Sequence, residues 1–248
     1  MNFHNRNVII TGGYSGIGLE TARRFERLGA RVHVLARNPG AAFVPHAVDV
    51  SDQAAVSAVI RAIGDSGGIT ALVCNAGIMR VGRVAELSLD DFESVLRTNY
   101  LGALYPILAA WPYLEAAGES RLGIVSSVAG YTGVYGYTAY APTKFALTGL
   151  AECLRMEGKP RGIRVTVVFP PDTETPMLEY ERAHAPAETR AITAGARRMS
   201  AAAVADKFVA GLARGDFEVY CNAESRLIRL VKALFPSVYY RLLDRLTK

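Results

Sequence analysis

An apolar strand that runs straight into a glycine-rich turn leaves few architectures open to this chain. Asn7-Val-Ile-Ile-Thr11 has a β-branched centre, and Thr11-Gly-Gly-Tyr-Ser-Gly-Ile-Gly18 follows it at once and opens a segment of helical period. The same alternation recurs down the chain. Further strands are predicted at Arg31–Ala36, Ala47–Asp49, Ala71–Asn75, Leu122–Ser126, Arg164–Phe169 and Phe217–Cys221, with helices near 16–28, 52–64, 89–111, 139–158 and 201–213. Apolar strands separated by helices argue for βαβ units and a parallel sheet covered on both faces. Ser88 with Asp91 gives the third helix a capping-box start, and Pro142 suits the first turn of the fourth, where its missing N–H costs little. Only Arg37 to His46 separates the second and third strands, too short for a crossover helix with its turns, so a turn or loop is expected there. Residues 172–200, rich in Pro, Thr, Glu and Arg, interrupt the alternation and are expected to form a mobile lid.

With 248 residues, half of them hydrophobic, the chain has material for one sizeable core, and no internal repeat or linker divides it. The reading is an α/β fold in a single catalytic domain, residues 1–221, followed by a tail, residues 222–248. No stretch reaches the apolar length of a membrane-spanning helix, and a strand starting at Asn7 leaves no room for a secretory signal. Cys74, Cys153 and Cys221 are widely spaced and odd in number, which fits buried thiols in a reduced, cytoplasmic protein and gives no metal site. Of the net charge of +5, most sits in the tail, where Arg226, Arg229, Lys232, Arg241, Arg245 and Lys248 outnumber Glu224 and Asp244 by four.

The strand-turn-helix context gives the glycine run a chemical meaning. Gly12, Tyr14, Ser15, Gly16, Ile17 and Gly18 form a turn whose backbone can approach a pyrophosphate facing the positive helix N-terminus. The architecture is then a Rossmann-type doubly wound sheet. Arg37 ends the second strand where an NAD-specific protein carries an acid for the ribose hydroxyls; a guanidinium there suits a 2′-phosphate, and so NADPH. The bland alternative is a solvated surface arginine. Asp49 and Val50 are expected near the adenine, and Asn75, Ala76 and Gly77 near the ribose, because ligands of open α/β sheets bind at the carboxyl ends of strands.

Tyr140 and Lys144, at i and i+4, share one helix face and point into one cleft, with Ser127 thirteen residues upstream at a strand end. Tyr-x-x-x-Lys alone is a weak signal; the combination with Ser127, Asn99 and the glycine run is specific. A free phenol titrates near ~10. The Lys144 ammonium, together with a positive nicotinamide, is expected to lower it, so that Tyr140 exchanges a proton with a carbonyl oxygen as hydride moves. Ser127 would hold that oxygen, and Asn99 would anchor a water leading to Lys144. The alternatives for the serine and the asparagine are a turn residue and a helix-end residue.

Five motifs in order, namely Thr11–Gly18, Asn75-Ala-Gly77, Asn99, Ser127 and Tyr140 with Lys144, resemble the short-chain dehydrogenase/reductase family over residues 7–221. That resemblance implies a sheet in the order 3-2-1-4-5-6-7, hydride transfer to a carbonyl, the four catalytic roles given above, and a homodimer or homotetramer built through the helices near 89–111 and 139–158. The short 37–46 connection departs from the family pattern. Ala36-Arg37-Asn38, Ala139–Glu152, Pro170-Pro-Asp-Thr-Glu-Thr-Pro176 and Pro186–Ile192 look like 3-ketodihydrosphingosine reductases. This narrower resemblance implies reduction of a long-chain 2-amino-3-ketone at C3 by NADPH, with Pro170, Thr173 and Thr175 against the cofactor and Thr175 at the carboxamide.

Asp172 or Glu174 is a candidate partner for the substrate ammonium, against the alternative that Asp172 only turns the loop. In the tail, Leu227, Ile228, Leu230, Val231 and Leu234 form one apolar stripe, and Val238, Tyr239, Leu242, Leu243 and Leu246 a second, each interleaved with basic residues. Two amphipathic basic helices suit peripheral contact with an anionic membrane, or packing on the core or on another subunit. Other ketone substrates (3-oxoacyl thioesters, steroids) and a non-catalytic NADP-binding scaffold remain open beside the leading reading. Nucleic-acid binding has no support, since the basic excess lies in an apolar-striped tail.

Overall fold

The sheet is assembled from strands that bury both faces. In the computed structural model, which describes residues 1–246, every residue of β1 (Asn7–Thr11) and β4 (Ala71–Cys74) is buried, as is all of β5 (Ser120–Val125). With β2 (Arg31–Ala36), β3 (Val44–Ala47), β6 (Ile163–Phe169) and β9 (Glu218–Tyr220) they make a parallel seven-stranded sheet in the order β3-β2-β1-β4-β5-β6-β9 among the described residues. Counted along the chain within this sheet, that is the order 3-2-1-4-5-6-7. Val8 stands between Val32 and Ala71, which fixes the central register.

Helices cover both faces. α1 (Gly16–Arg27) and α8 (Ala201–Arg214) pack on one, around Val8, Ile10, Phe25, Val34 and Phe208. α2 (Gln53–Gly67), α4 (Gly102–Ala116) and α5 (Ala141–Gly158) pack on the other, around Ile9, Leu72, Ile107, Leu122 and Leu147. Asp52 caps α2 by accepting from the Ala55 N–H at 3.0 Å. Ser88 and Asp91 form the expected capping box of α3 (Leu89–Leu96).

Several sequence expectations need correction. The third strand lies at Val44–Ala47, three residues before its predicted start, because the apolar pair Val48 and Val50 belongs to the turn leading into α2; the 37–43 connection has no helix, as its length required. The predicted single helix 89–111 is three segments: α3, a π-helical turn at Arg97–Leu101, and α4, which runs on to Ala116. Cys153 is exposed on α5, while Cys74 and Cys221 are buried; all three are free thiols. The candidate lid, residues 172–200, is not among these corrections; it carries β7 (Thr173–Glu174), α6 (Pro176–His184), α7 (Ala187–Thr193) and β8 (Met199–Ser200), with β7 and β8 paired in parallel.

The tail forms α9 (Ala223–Leu234) and α10 (Pro236–Leu246); the side chain of Leu246 and all of Lys248 lie outside the described residues. Asn222 caps α9, the Tyr131 hydroxyl donates to Ser225 O at 2.7 Å, and Lys232 Nζ donates to Tyr131 O at 2.6 Å. The tail is therefore docked on the body beside the loop that follows β5.

Candidate active site

The carboxyl ends of β1, β2, β4, β5 and β6 open into one cleft of about 1050 Å³. At its near end lies the glycine turn between β1 and α1. Gly12 has φ +66°, and a Cβ there would lie 2.8 Å from Ala76 Cα; Gly16 has φ +51° and would press on Thr175 at 2.8 Å. These two positions need glycine for conformation as well as space. Gly18 faces inward instead of lining the cleft, and a Cβ on it would stand 2.3 Å from Asn75 Nδ2 and from Gly12 O. Its role is close packing of helix against strand.

Asn75 organises this turn. Its Nδ2 donates to Thr11 O (3.1 Å) and Gly12 O (3.0 Å), while Thr11 Oγ1 accepts from the Asn75 and Ala76 N–H groups. Ser15 makes no side-chain cap, and the first turn of α1 carries no acid, so its leading N–H groups remain available at a positive helix end beside Tyr14, Ser15, Gly16 and Ile17 of the cleft wall. Arg37 reaches the same wall from the end of β2, beside Asp49 and Val50. The Asp49 carboxylate accepts from Ser51 N and Oγ (2.9 and 2.7 Å), and those bonds hold it below the usual carboxylate range. A glycine cradle, an uncapped helix end and a guanidinium on one wall fit a phosphorylated dinucleotide.

Deeper in, Tyr140 occupies the N-cap position of α5 at 6% exposure, and Lys144 follows one turn later at 3%. Lys144 Nζ donates to Val125 O at 3.0 Å and lies 5.5 Å from the Tyr140 ring centroid. Ser127 begins the short turn Val128–Gly130, and its hydroxyl is a hydrogen-bonding neighbour of the Tyr140 phenol. Burial pushes that phenol up, and the Ser127 contact offsets only part of the rise; the same burial brings Lys144 down to about 8. The acidification expected from sequence depends on Lys144 and a positive nicotinamide together; without the cofactor, burial dominates. Desolvation, with Glu181 and Asp172 adding to it, keeps the proton on Tyr140 at neutral pH, while Lys144 Nζ donates to Val125 O.

Asn99 does not line the cleft. It lies in the π-helical turn with its Oδ1 accepting from Ile78 N (2.8 Å) and its Nδ2 donating to Ile78 O and Thr143 Oγ1 (3.0 Å each). Thr143 Oγ1 donates in turn to Tyr140 O at 2.8 Å. These bonds hold Asn99 against Ile78 and tie it, through Thr143, to the start of α5, beside Gly77 and Lys144. Pro170, Thr173 and Thr175 line the far wall, where Thr175 caps α6. Asp172, in the turn before β7, lies in the cleft; Glu174 is exposed and outside it, on the face of β7 opposite Thr173.

The sequence model of the short chain dehydrogenase family matches residues 6–186. A 3-dehydrosphinganine reductase from Arabidopsis thaliana is 38% identical over 243 residues, covering 91% of this chain and 74% of its own length. The chain belongs to the short-chain dehydrogenase/reductase family. Within that family, a 3-ketodihydrosphingosine reductase from Bos taurus is 36% identical, covering 90% of this chain and 73% of its own length. A 3-dehydrosphinganine reductase from Danio rerio is 37% identical over 78% of this chain, which spans 64% of that relative's length. Among solved structures, the ligand-free aldohexose dehydrogenase of Thermoplasma acidophilum superposes with a TM-score of 0.78 at 25% identity, over 90% of this chain and 95% of the other. A short chain dehydrogenase from Burkholderia cenocepacia J2315, solved with NADP, gives 0.83 at 24% identity over 98% and 99%, respectively, a likeness of fold.

Two further features of this short-chain dehydrogenase escaped the sequence reading. Glu181 on α6 and Tyr137 ahead of α5 face each other in the cleft, and Ile228, Tyr239 and Leu243 of the tail line it. The signal for Glu181 was present: it is an acid in the buried stripe Leu178, Glu181, Ala185 of a short helix.

Proposed function

We propose that this protein reduces a long-chain 2-amino-3-ketone of the sphingoid type, 3-ketodihydrosphingosine, to the 3-alcohol with NADPH in the cytoplasm. The observation that carries the reading is the trio of Tyr140, Ser127 and Lys144 at the floor of a cleft whose rim carries the glycine cradle and Arg37. The substrate rests on likeness to the reductases of Arabidopsis, cattle and zebrafish, and on a cleft walled by α6, α7 and apolar residues of the tail.

When bound, NADPH supplies a hydride to the carbonyl carbon. Ser127 holds the carbonyl oxygen, and Tyr140 gives that oxygen its phenolic proton as the C=O bond opens, which leaves a phenolate. Lys144 stabilises the phenolate by its charge across the 5.5 Å to the ring. The Asn99–Thr143 clamp keeps Tyr140 in place. Arg37 pairs with the 2′-phosphate and sets the preference for NADPH over NADH. Oxidation of NADPH by 3-ketosphinganine, run beside NADH and a plain 3-ketoester, tests the reading. Tyr140→Phe is expected to lose at least about 100-fold in kcat. Turnover retained in that variant, or equal rates with the ketoester, would reject the mechanism or the substrate, respectively.

The exposed apolar face of the tail supports peripheral contact with an anionic membrane at its cytoplasmic side. Leu227, Leu230, Leu234, Phe235, Val238 and Leu242 are each at least half exposed, next to Arg226, Arg241 and Arg245. Among the described residues no helix is long and apolar enough to cross a membrane. A homodimer or homotetramer would use Leu108 of α4 and Met156 of α5, which stand exposed on the two helices that the family resemblance assigns to the interface.

A further inference from the structure

The floor of the cleft holds more negative charge than proton delivery to a ketone requires. Glu181 is 6% exposed, and the Tyr137 hydroxyl is its hydrogen-bonding neighbour. Tyr137 stands edge-on to Tyr140, with ring centroids 5.8 Å apart at 88°. Asp172 enters the same space from the turn after β6, and its field reaches both Glu181 and Tyr140. Neither carboxyl makes an ion pair with a lysine or arginine side chain among the described residues; Arg198 acts on Asp172 only at a distance, and Glu224 works against it. Burial pushes both acids above their usual range. A buried acid without a counter-cation is costly, and it persists where a ligand brings the missing charge.

A second group of the cleft is also incomplete. Tyr239 of α10 lines it at 7% exposure, and its buried hydroxyl has no hydrogen-bond partner among the described residues. A buried hydroxyl without a partner is destabilising. An apolar ketone alone would leave the two acids without a counter-charge.

We propose that Glu181, with Asp172 beside it, is a subsite for a primary ammonium carried on the carbon next to the ketone, so that the amine lies between the carboxylates while the ketone oxygen meets Tyr140 and Ser127. The subsite rests on the ketone-reductase reading above. It joins recognition to chemistry. With the carboxylates unpaired, their negative field keeps the proton on Tyr140; the ammonium cancels that field and makes the phenol a stronger acid just as the ketone arrives. A ketone without the amine fills the cleft, strips water from both acids and gives nothing in return. Selectivity then comes from the penalty on the wrong substrate as much as from attraction to the right one.

The test compares kcat/KM for 3-ketosphinganine with that for its 2-desamino analogue in wild type, Glu181→Gln and Asp172→Asn, with NADPH binding as the control for folding. A charge-assisted contact is worth about 1.5–3 kcal/mol, so the preference for the amino-ketone should fall by roughly 10- to 100-fold in Glu181→Gln, and in the same direction but less in Asp172→Asn. A preference unchanged in both variants would overturn the proposal, and should Glu181→Gln fail to bind NADPH, Asp172→Asn decides alone. A binding arm separates this outcome from an error in the substrate. Calorimetry of the NADP-loaded protein with dodecylamine and dodecanol should show tighter binding of the amine, lost in the same variants. If the wild type does not turn over 3-ketosphinganine yet discriminates the two probes, the substrate reading fails and the subsite stands; equal affinity for both overturns the subsite.

Discussion

Arg37 shows how much a single charge at a strand end controls. Its guanidinium lines the cleft at the end of β2; it attracts the Asp49 carboxylate nearby but makes no direct ion pair with it among the described residues. Replacing it by aspartate puts an acid where ribose hydroxyls are held and repels a 2′-phosphate. Arg37→Asp is expected to lose about 10- to 100-fold in kcat/KM with NADPH while gaining with NADH, measured on one ketone; an unaltered ratio would return Arg37 to the solvated surface. Tyr140, Lys144 and the glycine turn were legible in sequence because their geometry is local: one helical turn, or one strand-to-helix corner. Asn99 was legible as a position, but its partners Ile78 and Thr143, 21 and 44 residues away, were not. Glu181 and Tyr137 are likewise far apart in the chain, and nothing local joins them.

At the scale of elements, the β2–β3 edge carries a pH-sensitive pair. His33 Nδ1 lies 3.0 Å from His46 Nε2, and His33 Nε2 lies 3.2 Å from Asn7 Oδ1, with the rings stacked at 5.3 Å. Burial, then the neighbouring His46 and Arg31, holds His33 down at about 4, below its ordinary 6.5. Above pH 6.5 the ring is neutral in both folded and unfolded chains, and its full contribution is present. As pH falls from 6.5 toward 4 the unfolded chain takes up a proton that the folded one refuses, so stability is lost across that window. The unfolding temperature should therefore drop between pH 7 and 4.5, and drop less in His33→Asn; parallel curves would show that the pair has no part in it. The central strand positions follow from β-branched runs, whereas Val44–Ala47 at the sheet edge does not. The π-helical turn at Arg97–Leu101 does not, because a single widened turn leaves the apolar period around it almost unchanged.

For the whole molecule, the tail joins the cleft to the exposed surface. One face of α9 and α10 lines the cleft through Ile228, Tyr239 and Leu243, while Leu230 and Leu234 stand outward. Basic residues contribute about 1 kcal/mol each at an anionic surface, and the apolar side chains add to this. Wild type is expected to sediment with phosphatidylserine vesicles and not with neutral ones, and the double variant Leu230→Glu/Leu234→Glu to lose that binding while still binding NADPH. Equal sedimentation of the two proteins would exclude this face. What the sequence by itself determined was everything set by short-range periodicity: the alternating elements, the glycine turn, the sheet's direction and the Tyr140–Lys144 pair. Only the tertiary structure decided that burial raises the phenol, that Asn99 bridges Ile78 and Thr143, that the tail walls the cleft and that Glu181 faces Tyr137. Those depend on desolvation and on contacts between distant segments, and such quantities arise only when the chain closes on itself.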